Sequence, residues 1–585
     1  MSFTTRFVSC SAMAGLLLSG CATATQSDTP RRKPSKRGKS MQVQQPFPSK
    51  ARIEEISEGT VQQPLARVGT LAAVTSWSID PAVPNADWTQ PYAGDDPNAS
   101  AYAAWVEAKA PKVTTSASVT CVAQQYARFQ AEHAKELAGA DVMAFMHARC
   151  GVPARVVPNW SWTFPKSGFK GLNPNQPEPK VMEVLQGASK KALTGLGVWA
   201  TDTHVHISVA LIEPELSLDP TPFASGSNGG VVVSGIYPKR TEWMQAFVTH
   251  GSLGAKDCAR VRVEGPKGSF AFRCPTNPQD ARAVIEVAAA PRGSLLGQVV
   301  ARRLVSPNGT APTSYEAPAL SVPASEGDFS SSAVLAGINA LRGQAGLGDV
   351  VGAPEQDSVS ANLFPHLMAG SDQGVRNEAA LGLIAGWQVG ATIRQGTFET
   401  MFTHADTPLD RALAGALFSP GFRSVALGRD TRVLSNAVVD SPETNTRGLL
   451  SVAYEVFEPS DFTSEETAVF DALDDARAKV GLPPVTRVEG GNDETALAAS
   501  AERIRTGEST PREELDRMVS HFRDTVGRNF YGVIYSPTRI DGWSPEFDDE
   551  FFKHENIAVA TTVSYFVPPG AAWGQHVVFM VFTPL

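Results

Sequence analysis

The sequence predicts an α+β fold spread over several domains. Three observations carry this expectation. At 585 residues the chain is too long for a single core, and at about 150 residues per domain it has room for three or four units. Between residues 119 and 149 apolar side chains recur at intervals of three and four, the period of helices. From Gly197 the pattern switches to an alternation rich in β-branched residues, which continues to residue 306 as short apolar runs broken by Gly, Pro and Asn.

At the N-terminus, Arg6 precedes an apolar run from Val8 to Leu18 that closes on Leu18, Ser19, Gly20 and Cys21. The run is far shorter than the ~20 residues that cross a bilayer, and a charged start, an apolar middle and small residues at the end describe an export signal. The closing box resembles a bacterial lipoprotein signal. That resemblance implies that the signal segment, residues 1–21, is cut before Cys21, which becomes the lipidated N-terminus. With Ala22 in place of Asp after it, it also implies an outer-membrane address; the alternative is an ordinary secretory signal. Residues 22–60 read as a solvated, basic and Pro-rich linker, whose R-R-K-P-S-K-R-G-K-S would lie against anionic head groups.

Residues 61–213 read as a helical region ending in strand. Two helices fit residues 119–149, with Cys121 near the start of the first and Cys150 just past the second, so one disulfide would tie the pair. The stretch V-W-A-T-D-T-H-V-H-I-S-V-A-L then reads as strand. Residues 214–306 read as a β-sandwich, with apolar stretches at Val231–Val233, Ala259–Val263, Val284–Val287 and Val299–Leu304. Within it, Cys258 and Cys274 bound two alternating runs about Gly-Pro-Lys-Gly, a hairpin with a disulfide at its base. With Cys10 in the signal and Cys21 lipidated, the remaining four cysteines are an even number, as two disulfides of an oxidising compartment require. Residues 307–328 are a linker.

Two units follow, 329–459 and 460–585, and they are self-similar. Leu335, Ile338, Asn339, Arg342, Gly346 and Leu347 recur 135 residues later as Phe470, Leu473, Asp474, Arg477, Gly481 and Leu482, each set an amphipathic helix ending at a glycine. Both units finish on an alternating strand, Leu449 to Phe457 and His576 to Phe582.

Charge excludes one class of function. The formal net charge is −9, and residues 40–585 alone carry −15, so the body has no basic face for phosphates and a nucleic-acid partner is not expected. The chain has no C-x-x-C, no H-E-x-x-H and no G-x-S-x-G, and no glycine-rich phosphate loop follows a strand. Structural zinc, a helix-borne metalloprotease site, a serine-hydrolase elbow and a nucleotide site therefore lack support, and no cofactor is expected. Ten tryptophans, Trp77, Trp88, Trp160, Trp162, Trp387 and Trp573 among them, read as core or half-buried surface.

The phrase I-N-A-L-R-G-Q-A-G-L at 338–347 resembles the opening helix of the CAP superfamily, the cysteine-rich secretory and pathogenesis-related domains. L-F-S-P-G-F-R-S-V-A-L-G at 417–428 is similar to the family segment in which Leu, Pro and Phe precede a Val and a Gly at the head of a central strand. The resemblance covers residues 329–457, extends weakly over 463–585, and implies α-β-α sandwich units. Many such domains hold a cation between two histidines and two acids. Here the expected His-Arg becomes Asp410-Arg411, three extra residues follow and no Gly-Glu-Asn is present, so no metal is carried over. His366, Glu378, Glu399, His404 and Asp410 are left as candidates for a regrouped cleft, of which His366, Glu399, His404 and Asp410 make the working set.

A rival reading centres on cysteine. G-V-P-A-R-V-V at 151–157 is similar to a segment of transglutaminase-like domains, which implies a nucleophile at Cys121, a base at His204 or His206, and Asp219 to orient it. Cys121 lies about ten residues further from Gly151 than that family places it, and a bridge to Cys150 would leave no thiol. The sequence thus favours a non-catalytic, lipid-anchored protein of the cell envelope that binds polysaccharide, lipid or protein, with a transglutaminase or cysteine peptidase as the alternative.

Overall fold

The computed structural model describes most residues from 47 to 585, together with 8–9; outside the described residues are 1–7, 10–46, scattered positions in 60–87, and 134–135, 153–158, 170–178, 190–191, 213–216, 220–229, 238–240, 310–311, most of 317–328, 369–370, 458–461, 489–490, 527–530, 538–539 and 541–548. Helices and strands alternate in several separate sheets, an α+β multidomain architecture. By contact the chain falls into two compact units, one holding 53–384 and 397–453, the other 385–396 and 454–585. Residues 385–396, from the middle of the first predicted α-β-α unit, thus group with the second. Among the described residues no helix is long and apolar enough to cross a membrane.

The larger unit begins with a mixed sheet. Its helices are α1 (Pro97–Lys109), α2 (Ala117–Glu132), α3 (Ala140–Arg149) and α4 (Pro179–Gly187). Its strands are β1 (Thr114–Thr115), β2 (Asn159–Pro165), β3 (Leu193–Ala200) and β4 (His204–Ile212), in the order β2-β4-β3-β1, with Val8–Ser9 paired to the outer side of β2. Asp96 caps α1 through Ala99 N at 2.7 Å, with Pro97 in the first turn, and Ser116 caps α2. Val205, Ile207, Val209 and Leu211 of β4 pack with Trp105, Val106, Val181 and Leu185 of α1 and α4, while Ala210 and Ile212 face α2 on the other side. The stretch expected as one strand from Gly197 is a hairpin, because Thr201, Asp202 and Thr203 form the turn between β3 and β4. Trp160, Trp162 and Phe164 lie on β2, a strand the sequence reading did not assign.

A β-sandwich follows. Its strands are β5 (Ser217–Leu218), β6 (Val231–Ile236), β7 (Thr241–His250), β8 (Gly254–Asp257), β9 (Ala259–Arg260), β10 (Ser269–Cys274), β11 (Ala283–Pro291) and β12 (Gln298–Val305). They form sheets in the orders β8-β7-β11-β12 and β9-β10-β6-β5. Val231, Val233, Phe270 and Phe272 from one sheet meet Ala246, Val248, Ile285 and Val287 from the other. β7 and β8, whose T-E-W-M-Q-A-F-V-T-H-G-S-L-G-A-K-D is only partly apolar, are strands that the apolar runs did not reveal.

The next sheet is a three-layer α-β-α arrangement. It comprises α5 (Ser331–Gln344), β13 (Val351–Gly352), α6 (Pro354–Leu363), α7 (Gln373–Ala385), β14 (Ile393–His404), α8 (Leu409–Ala416), α9 (Pro420–Ala426), β15 (Val433–Ser441) and β16 (Thr446–Val456), with strand order β13-β15-β16-β14. One face buries Val334, Ile338 and Leu341 of α5 with Leu413, Phe422 and Val425 of α8 and α9. On the other, α6 sits on β15, where Ser360 Oγ and Ser435 Oγ lie 2.9 Å apart. The family-like segment at 417–428 was expected at the head of a strand. It is instead the short helix α9, because Ser419 accepts from Phe422 N as a cap and Pro420 takes the first position. The central strand starts only at Val433.

The smaller unit repeats this order, except that among the described residues no α-helices match α8 and α9. It contains α10 (Thr463–Ala478), β17 (Thr486–Arg487), α11 (Gly491–Arg505), α12 (Pro511–Val526), β18 (Tyr531–Tyr535), β19 (Ile557–Phe566) and β20 (Gln575–Pro584). Its sheet runs β17-β19-β20-β18, the same permutation as the sheet before it, with the short first strand parallel to the central one in both. Val578, Met580 and Phe582 of β20 face Val469 and Leu473 of α10, and Val577, Phe579 and Val581 face Leu497, Met518 and Phe522 of α11 and α12. Glu514 is fully buried there. Burial pushes its carboxyl pKa up, but hydrogen bonds from Arg503, Ser509 and Ser500 outweigh this and hold it at about 2.

Candidate functional site

The cysteine-centred site is dismantled by its own geometry. Cys121 is the fifth residue of α2 and is bonded to Cys150, which ends α3, so no thiol is present to act as nucleophile. Nor does either candidate base, His204 or His206, stand beside it. A Cβ on Gly195 would lie 2.2 Å from Thr120 N, and one on Gly197 2.2 Å from Gln124 N, which fixes α2 alongside β3. One helical turn further on, Arg128 reaches the ring of Trp199, and Trp199 is the residue paired with His206. His206 is therefore level with Arg128, four strand residues or roughly 13 Å beyond the level of Cys121. His206 is buried, its Nδ1 lies 3.1 Å from Thr163 Oγ1, and burial, then the charge of His204, lowers its pKa. His204 is exposed, with Nδ1 2.8 Å from Thr203 Oγ1. Asp219 belongs to the sandwich, where it accepts from Ser234 Oγ. Of the segment 151–157, Pro153 to Val157 lie outside the described residues, as does Cys21.

The four cleft candidates are not gathered either. Phe402 of β14 stacks on Phe364, in the 3-10 turn Phe364–Leu367 that carries His366, whereas Met401 packs into the opposite core with Leu409 and Leu413. Alternation puts Glu399 on the Met401 face, beneath α9, where a Cβ on Gly421 would lie 2.2 Å from Oε1. His366 is buried in the layer beyond the other face, against Gly59, and its Nε2 has no hydrogen-bond partner among the described residues. His404 ends β14, with Nε2 2.9 Å from Asn445 Nδ2 and Nδ1 3.4 Å from Asp406 Oδ2. Asp410 is exposed in the first turn of α8, and Glu378 is half-buried on α7. Among the described residues no three His, Cys, Asp or Glu side chains group as a metal site would need.

What the structure does gather is a pair of arginine clamps. Arg342, almost wholly buried, donates from Nε to Gly348 O at 2.8 Å, from Nη1 to Ala426 O at 3.1 Å and Gly428 O at 3.0 Å, and from Nη2 to Thr431 O. Arg477 does the same 135 residues on. Its Nε donates to Pro483 O at 2.9 Å, Nη1 to Phe551 O, and Nη2 to His554 O and Glu555 O at 2.7 Å. Burial lowers the pKa of both guanidinium groups. Asn339 Oδ1 accepts from Val350 N, and Asp474 Oδ1 from Val485 N, each at 2.9 Å. The family-like residues Asn339 and Arg342 thus bind the chain's own backbone.

Sequence reasoning missed a second buried polar group. Glu286 of β11 accepts from Arg302 Nε at 2.7 Å and, through Oε2, from the α9 cap Ser419 Oγ at 2.9 Å. Arg423 of α9 donates to Gly254 O at 3.2 Å and Gly251 O in the sandwich, and burial lowers its pKa to about 10. The lone acid in the run A-V-I-E-V-A-A-A was the available signal.

No protein-family model and no curated protein matches the chain. Among solved structures it is similar to a cysteine-rich secretory protein of Staphylococcus aureus subsp. aureus Mu50, at 12% identity over 38% of this chain and 75% of that one, TM-score 0.18. It is also similar to an extracellular protein containing an SCP domain from Bacillus anthracis str. Ames, at 12% identity over 41% and 85%, TM-score 0.15. Likeness at this level leaves function to be judged from the chain itself.

Proposed function

We propose that this is an exported, lipid-anchored protein of the cell envelope, whose tandem CAP-like units bind a ligand instead of transforming one. The observation that carries the reading is the state of the cysteines: Cys121 is bonded to Cys150 and Cys258 to Cys274. Disulfides form and persist in oxidising compartments, which agrees with the export signal at residues 6–21. The same bond leaves the rival transglutaminase or peptidase without its nucleophile. The buried Arg342 and Arg477 support a scaffold role for the motif residues, since every donor named above is spent on backbone carbonyls. The lipid on Cys21 would set the protein on the outer membrane, facing envelope polysaccharide, lipid or protein.

Thiol titration of the mature protein under denaturing, non-reducing conditions tests this, together with globomycin treatment of producing cells. The expected outcome is no titratable thiol from Cys121, Cys150, Cys258 or Cys274, and accumulation of unprocessed precursor. A reactive thiol at Cys121, or processing indifferent to globomycin, would overturn the proposal.

A further inference from the structure

The disulfide-closed hairpin of the sandwich carries cations that form no ion pair among the described residues. Residues 256–273 hold five basic side chains, Lys256, Arg260, Arg262, Lys267 and Arg273, against Asp257 and Glu264, in a chain of net charge −9. All five are exposed, and among the described residues none has a side-chain hydrogen-bond or ion-pair partner. Elsewhere arginines find carboxylates readily, as Arg128 does with Glu132, Arg394 with Glu455, Arg447 with Asp440 and Arg505 with Glu502.

The scaffold under these charges is fixed. Cys258 and Cys274 close its base, Ser269 Oγ donates to Pro266 O at 2.7 Å across the turn, and Tyr237 N donates to Gly268 O at 2.9 Å. Gly268 takes φ +95°, a conformation that glycine adopts without penalty. Arg260 pairs with Phe272 and Ala259 with Arg273, and paired residues share a face, so cations stand on both sides of the ribbon. Two apolar side chains are exposed among them: Val263 beside the turn, 40% exposed, and Val232 opposite Arg273, 43% exposed.

We propose that this hairpin docks on an anionic lipid surface, its cations on headgroup phosphates and Val263 at the acyl boundary. Exposed cations interleaved with exposed valines favour lipid over a soluble polyanion, which would meet the cations and leave the valines in water. Because the hairpin backbone that carries the cations is fixed before contact, docking orders only their side chains and costs little backbone freedom. The proposal is independent of lipidation at Cys21.

Vesicle sedimentation of the full chain tests it, with Cys21→Ser to remove acylation and Gln at the six basic positions between 31 and 39. Vesicles of phosphatidylcholine with 30% phosphatidylglycerol should bind it, and pure phosphatidylcholine vesicles should not. Arg260→Gln, Arg262→Gln and Lys267→Gln together should weaken binding by about a hundredfold, from roughly one kcal/mol per cation. Val263→Asp should weaken it further. Lys109→Gln, Lys112→Gln and Arg429→Gln together, which neutralise exposed cations elsewhere, should change it less than about threefold. Equal binding to both vesicles, an unchanged triple variant, an equal loss in the control triple, or binding to an acidic polysaccharide with none to vesicles would each overturn the proposal.

Discussion

At the residue scale, the arginine clamps show why a motif residue can be legible while its work is not. The spacing of Asn339, Arg342 and Gly346 could be read in the sequence, and so could its recurrence at Asp474, Arg477 and Gly481. The partners could not be read, because Ala426, Gly428 and Thr431 lie 84 to 89 residues from Arg342, and carbonyls carry no side-chain signature. A guanidinium presents five donors in a rigid fork, whereas an ammonium presents three on a flexible stem, so lysine cannot span the same carbonyls. Arg342→Lys and Arg477→Lys should each destabilise their own unit by about 2–4 kcal/mol through orphaned buried carbonyls. Limited proteolysis during thermal unfolding would read this, as cuts in 329–457 for the first variant and in 463–585 for the second. Proteolysis profiles equal to the parent's would mean the clamps are ornamental.

At the element scale, close approach decides where α2 lies. Gly195 and Gly197 sit one helical turn apart against its backbone, and Gly197→Ala would place a Cβ 2.2 Å from Gln124 N and 2.3 Å from Ala123 C. Neither atom belongs to a side chain that could swing away, so the helix or the sheet must shift, at about 3 kcal/mol or more. By contrast Gly415→Ala, on α8 with nothing within 4 Å, should stabilise by about 0.5–1 kcal/mol through helix propensity. Melting temperatures of the two variants should move in opposite directions. G-L-G could be seen in the sequence only as part of an alternating stretch; that its glycines face a helix needed the third dimension. The elements missed or misassigned share a cause of the same kind. β2 is the exception, since N-W-S-W-T-F-P alternates fully and its period of two was legible; in β7 polar residues dilute that period, Thr201–Thr203 makes a turn without glycine or proline, and α9 is set by a serine cap and Pro420, not by apolar spacing.

At the scale of the whole molecule, the repeated strand order was foreshadowed by two helices and two closing strands, but what couples neighbouring domains was not. Within the larger unit the sandwich and the first α-β-α arrangement share a buried charge pair, in which Glu286 and Arg302 come from the sandwich and Ser419 caps α9. Glu286 and Ser419 are 133 residues apart, beyond the reach of any periodicity. The pair's own net worth is small, since desolvation offsets most of its Coulomb attraction, but breaking it strands a buried cation at a cost of about 3–5 kcal/mol. Glu286→Gln should therefore lower stability and uncouple the two domains, turning one calorimetric transition for this unit into two, because α9 loses its anionic contact and Arg302 must find water. Glu286→Met with Arg302→Leu removes both charges and should recover most of the loss while leaving α9 without its contact to Glu286. If Glu286→Gln unfolds in a single transition at the parent's temperature, the charge pair does not couple sandwich and α-β-α unit, and their contact is held by apolar packing and the Arg423 hydrogen bonds to Gly251 and Gly254.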